Sequence, residues 1–169
     1  MKKLIALFTI CLLALTGCSG ADVSGEPAEE LINVEECAGL SSADFIETYG
    51  EPTYTEAYEY DGFVGPLYDF ESVDGVMTEA VFNKNDQLHV LTLYVDKDTE
   101  IHYNNPDEFY ALFGLSSSDE DWRSKGFAGT TIKGDGGTGN VFEFEVFIKD
   151  HPDGNIDSGN IDNAKFIYY

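Results

Sequence analysis

The sequence predicts an α+β fold: two tandem repeats of a short helix plus an antiparallel β-meander, with the helices packed on one sheet face. Three observations lead there. First, Asp44-Phe45-Ile46-Glu47-Thr48-Tyr49-Gly50 and Glu108-Phe109-Tyr110-Ala111-Leu112-Phe113-Gly114 share one pattern, 64 residues apart: acid, Phe, Ile or Tyr, two variable residues, aromatic, Gly. Second, each copy is followed by runs that alternate with period two, the signature of a half-buried strand. Third, the chain is 43% hydrophobic and 14% aromatic, enough to build a core despite its charge.

The elements follow in order from the N-terminus. Lys2 and Lys3 precede an apolar run, Leu4 to Leu15, and the small residues Thr16 and Gly17 precede Cys18. A basic start, an apolar core and a small-residue cleavage site describe a secretory signal that is removed before folding. Its run of about a dozen residues falls short of the roughly 20 that span a bilayer. The tetrad Leu15-Thr16-Gly17-Cys18 resembles the lipobox of bacterial lipoproteins. That resemblance implies lipid attachment at Cys18, cleavage after Gly17, and anchoring by acyl chains such as palmitate on the extracytoplasmic face of the cell membrane. The expected organisation is a signal peptide over 1–17, an acidic tether over 18–36, and helix–sheet repeats over 37–103 and 104–169. The tether, Ser19 to Glu36, would hold the domain roughly 25 Å from the lipid if flexible. Leu31, Ile32 and Val34 near its end are apolar enough to join the domain.

Charge narrows the partners. The chain holds 9 basic and 32 acidic residues; loss of Lys2 and Lys3 leaves 7 basic ones and a formal charge of −25. Such a surface repels phosphate backbones and excludes nucleic acid as a natural partner. Cations, basic peptides or a basic protein patch fit better, although acidity also simply keeps a tethered protein soluble. Cys11 leaves with the signal and Cys18 is lipidated, so Cys37 has no internal disulfide partner and is expected to act as a small buried hydrophobe.

The first helix is capped by Ser41, with Asp44 placed as in a capping box. The second is capped by Asn105, with Pro106 at its first position and Glu108 in its first turn. Gly50 and Gly114 suit the left-handed residue that follows a helix. Strands are expected at Tyr54–Tyr60, Gly65–Phe70, Val76–Asn83 and Gln87–Val95, with Asn83-Lys84-Asn85-Asp86 as a hairpin turn. After the second helix, a further helical turn is expected over Asp119–Lys125, with Trp122 inward, and strands at Phe127–Lys133, Val141–Lys149 and Ala164–Tyr169. A glycine-rich loop covers 134–139. In Val141–Lys149 the residues Phe142, Phe144, Val146 and Ile148 share one face, while Glu143, Glu145 and Lys149 share the other with Val141 and Phe147, as in a sheet buried on one side.

Few residues offer chemistry. The sequence contains no Gly-x-Ser-x-Gly elbow, no His-Glu-x-x-His helix, no P-loop and no Cys-x-x-Cys. No catalytic residues are assigned, and the chain is read as non-enzymatic. His89 lies in an apolar strand, and Glu100 and His102 are spaced to share a strand face, which alone is too few ligands for a metal. Asp153, Asn155 and Asp157 stand at the first, third and fifth places of a calcium loop, the only cofactor reading besides the lipid on Cys18. That pattern breaks downstream, with glycine at the seventh place and Ala164 at the twelfth, so a polar hairpin loop is the plainer account. Tyr54, Tyr58 and Tyr60 fall on one side of a strand, and Tyr94 adds to them, as a candidate binding surface. Aromatic side chains bring large contact area at low entropy cost.

The run Tyr49-Gly50-Glu51-Pro52 after a capped helix, then a tyrosine-rich meander, is similar to the β-lactamase-inhibitor-protein-like fold. That fold is shared with small outer-membrane lipoproteins of the SmpA/OmlA type. The likeness spans residues 41–169 and implies tandem helix–sheet copies. The second copy departs from the motif, because Gly114 is followed by Leu115 and Ser116 without a proline, and the inhibitors' disulfides are missing. Inhibition of β-lactamases therefore does not follow. The expected function is a membrane-anchored, non-catalytic module that binds a protein or cell-wall partner. The alternatives are a calcium-dependent or enzymatic envelope domain and a structural envelope-assembly lipoprotein.

Overall fold

Ser41 begins the first helix for the expected reason. Its hydroxyl accepts the Asp44 amide at 3.2 Å, and the Asp44 carboxylate accepts the Ser41 amide at 3.3 Å. Together they satisfy donors that the first turn leaves unpaired. In the computed structural model, which describes residues 30–60, 63–115, 122–125, 130–134, 141, 143–150 and 158–168, this helix (α1) spans Ser42–Tyr49. The second, α2, spans Pro106–Leu112, with the Asn105 side chain accepting the Glu108 amide at 3.0 Å. Gly114 follows it at φ +61°, where a Cβ would also crowd the Asn33 side chain.

Nine strands make up most of the rest: β1 (Tyr54–Tyr60), β2 (Phe63–Val73), β3 (Val76–Phe82), β4 (Leu88–Val95), β5 (His102–Tyr103), β6 (Trp122–Lys125), β7 (Thr130–Gly134), β8 (Glu143–Asp150) and β9 (Gly159–Ile167). All pair antiparallel in one sheet of order β1-β2-β3-β4-β9-β8-β7-β6, with β5 beside β9. The turn between β3 and β4 is built by Asn83, whose side-chain oxygen accepts the amides of Asn85 and Gln87.

This architecture overturns the expected α+β fold class. The protein is β-rich, with nine strands and only two helices, of 8 and 7 residues, among the described residues. Two helical turns rise about 12 Å, whereas eight strands in a row spread over roughly 35 Å at normal strand spacing. Helices this short do not form a layer over such a sheet. Irregular segments share the inner face with them: Ile32, Val34, Cys37, Leu115, Val141 and Tyr168 are all buried in the same core. The central β4–β9 pair joins the meanders into one sheet. The segment ahead of α1 bonds across to the other half, Leu31 N–H to Leu112 O at 2.8 Å and Val34 N–H to Phe113 O at 3.0 Å.

Two local expectations also change. Trp122–Lys125 is a strand edge paired with Thr130–Lys133, where a helical turn was expected. Pairing with the next strand decides such a short stretch more than intrinsic preference does. β9 starts at Gly159, five residues before the expected strand, because Asn160 and Ile161 already pair with β8 while Gly159 and Asn160 pair with β5. Residues 159–163, which the sequence places before the strand, are therefore part of it.

The core lies on one face of the sheet. Phe45 of α1 packs on Phe70 and Phe82, and Phe109 of α2 packs on Tyr103, Phe113 and Phe144. Both helical phenylalanines are fully buried, as the matched pattern requires. Cys37 is buried and free, its sulfur 3.3 Å from the Tyr49 hydroxyl, and burial pushes its thiol pKa up. Tyr168 donates to the Val34 carbonyl at 2.9 Å and closes the core against the N-terminal segment.

Candidate functional site

Strand alternation sends every second residue to the face opposite the core, and the register places these residues in rows across the sheet. One row runs Tyr54, Asp69, Glu79, Thr92, Lys165, Glu145, Lys133, each directly opposite the next. A neighbouring row runs Met77, Tyr94, Asn163, Phe147, Thr131. No described helix covers these rows. Between them lies a shallow depression of about 470 Å³, lined by Tyr58, Glu79, Thr92 and Tyr94 from the first half and by Phe147 and Lys165 from the second.

Of the expected tyrosines, Tyr54 is 53% exposed and Tyr94 38% exposed, and Tyr58 is partly buried. Their register puts all three on the open face, with Tyr58 opposite Gly65. Tyr60 pairs with Phe63 at the end of the same strand. Beside them the Phe63 ring stacks on His89 with centroids 4.4 Å apart, and Tyr58 meets Phe63 at 6.3 Å. Leu67 and Val81 on this face are buried but stand outside the main core cluster.

The two ends of the long row differ in charge. Lys133 meets Glu145 at 2.8 Å, and Glu145 lies opposite Lys165. Asp69 and Glu79 oppose one another with like charge. Burial, then Glu56, raises the Asp69 pKa from its ordinary value. Burial, then Asp69, raises that of Glu79, with Lys165 partly offsetting the shift. Burial, then Glu79 and Asp69, also raises Tyr94. Among the described residues, Asp69 Oδ1 is the buried side-chain oxygen that lacks a hydrogen-bond partner. Tyr54 donates to Glu56 at 3.0 Å.

A second depression of about 360 Å³ opens where the chain enters the fold, among Leu31, Ile32, Tyr49, Phe70, Val73 and Leu93. Glu30, Glu71, Asp74, Thr48 and Thr78 also line it. The two described histidines, His89 and His102, have partners of their own. His89 Nδ1 lies 2.7 Å from the Tyr168 carbonyl, and His102 sits between Asn160 and Asn104 at 3.0 and 3.2 Å. Among the described residues, no group of three or more His, Cys, Asp or Glu side chains is placed to hold a metal ion. Cys18 and the triad Asp153, Asn155 and Asp157 lie outside the described residues.

The row of Asp69, Glu79, Lys165, Glu145 and Lys133 escaped the sequence reading. Its only sequence signal is period-two placement of charge within separate strands; the pairing that aligns them is long-range. Likewise, no helix among the described residues is long and apolar enough to cross a membrane.

No protein-family model and no curated protein sequence matches the chain. Among solved structures it has a weak likeness to a cysteine-rich secretory protein from Staphylococcus aureus subsp. aureus Mu50. The two are 10% identical with a TM-score of 0.38, and the match covers 83% of this chain and 50% of that one. The chain thus spans half the length of that structure.

Proposed function

We propose that the protein is a lipid-anchored, extracytoplasmic module that binds a protein partner through its open sheet face, without catalysis of its own. The observation that carries this reading is the asymmetry of the sheet. One face buries the core, while the other leaves tyrosines and charged side chains uncovered around a depression across the middle strands. Large amphipathic rings on a rigid sheet bind with little entropy loss. The lipobox tetrad ending at Cys18 supports the anchor, and the formal charge of −23 favours a partner that is not nucleic acid.

A photo-crosslinking residue at position 94, compared with one at the exposed helix position 47, tests the face in intact cells. A discrete protein adduct from position 94 and none from 47 is expected. Equal adducts, or none from 94, would overturn the reading. The anchor is tested separately: Cys18→Ala should abolish incorporation of labelled palmitate and release the protein from membranes.

A further inference from the structure

We infer that the partner presents a cationic segment, a strand or loop bearing arginine or lysine, to the β1–β4 part of the open face. The head group would lie against Asp69 and Glu79, and its stem against Tyr94. This rests on the proposed binding role of that face.

Three observations point to a missing cation. Along one row, the second half alternates Lys165, Glu145 and Lys133, so each charge has an opposite neighbour. The first half sets Asp69 directly against Glu79, with Glu56 adding to the field at both and Lys165, beyond Thr92 in the row, offsetting it only in part and at Glu79. Like charges placed opposite in a sheet oppose folding, so the pair is retained at a cost that the second half avoids. One oxygen of Asp69 is buried without a hydrogen-bond donor, an unmet acceptor beside a second carboxylate. A planar guanidinium carries donors enough to reach two carboxylates at once, and its face stacks on aromatic rings. Tyr94 stands on the neighbouring row and Tyr58 lines the same depression. The chain as a whole favours the same partner, since its formal charge of −23 steers cations toward it. A bare metal ion fits less well, because the described carboxylates do not converge as ligands.

The test titrates the full-length protein in detergent with a capped tetra-arginine peptide, and with tetra-glutamate as control, reading amide shifts by NMR. Saturable shifts centred on Glu79, Thr92 and Tyr94 are expected with tetra-arginine only. The double variant D69N/E79Q should weaken binding at least about tenfold. The charge-matched surface variant D98N/E100Q should change it less than about twofold, because those exposed groups contribute only screened attraction. Equal weakening by both variants, or shifts scattered over the whole surface, would overturn the inference. So would concentration-dependent dimerisation that buries the face, which would name a second copy as the occupant. Crosslinking separates this from the broader reading. If the position-94 adduct forms undiminished in D69N/E79Q, the face binds a partner but not through a cation. If no adduct forms in the unaltered protein, the binding role itself fails.

Discussion

On the open face the two halves of the sheet solve the same problem differently. β7, β8 and β9 interleave Lys133, Glu145 and Lys165, while β2 and β3 oppose Asp69 and Glu79 with no cation between them. Both halves run a short capped helix into a four-strand meander, and both bury phenylalanines from that helix. Inside, the halves are alike because a core accepts only close apolar packing. Outside, nothing forces the first half to balance its charge, and it has not done so. Selection for folding alone would tend to remove an opposed carboxylate pair, and functional surfaces are where such local cost is commonly retained.

The largest expected effect probes whether the halves are energetically one body. Phe45→Ala and Phe109→Ala each remove a fully buried ring and should cost about 3–5 kcal/mol. Because β4 pairs with β9, either change should shift a single cooperative transition in chemical denaturation. Two separate transitions would break the comparison by showing that the halves unfold independently.

Next come the caps. Ser41→Ala and Asn105→Ala each remove an acceptor from a first-turn amide and should cost about 1 kcal/mol. A much larger loss in one half would show that its cap does more than satisfy a backbone donor. Glu108 should add a pH dependence to the second half. Hydrogen bonds from the Asn104 backbone and side chain lower its pKa. Its stabilisation is therefore present above the unfolded carboxylate value and is lost as pH falls through the lowered one.

The acidic pair should behave in the opposite sense. Asp69 and Glu79 are raised in the folded state, so the native protein binds more protons than the unfolded chain between the two sets of values. Their contribution is least favourable at neutral pH and improves as pH falls through the raised values toward about 4, the unfolded carboxylate range. Asp69→Asn and Glu79→Gln should accordingly stabilise the fold at pH 7 by about 0.2–1 kcal/mol, at the lower end where solvent screens them. That gain should vanish in thermal melts below about pH 4. A loss of stability at pH 7 would mean the pair has a structural role. The smallest effect is expected in the balanced half: Lys133→Ala breaks a half-exposed ion pair and should cost less than about 1 kcal/mol.

Local chemistry made the helix starts, the β3–β4 turn and the alternation of Tyr54 and Tyr58 readable from the sequence by itself. Each depends on residues within a few positions of one another: a hydroxyl three residues from an amide, an Asn that folds onto its own turn, a period of two. Only the tertiary structure decided the rest. It turned Trp122–Lys125 into an edge strand, started β9 at Gly159, and made a β-rich sheet where a helix-covered α+β fold was expected. It also set Lys165 beside Glu145 and Asp69 against Glu79, with Tyr94 in the adjoining row. The physical reason is that strand register is fixed by the partner strand, in the next hairpin for Trp122–Lys125 and Asp69–Glu79 and tens of residues away for β9 against β4 and β5. A slip of one residue would send every one of these side chains to the other face.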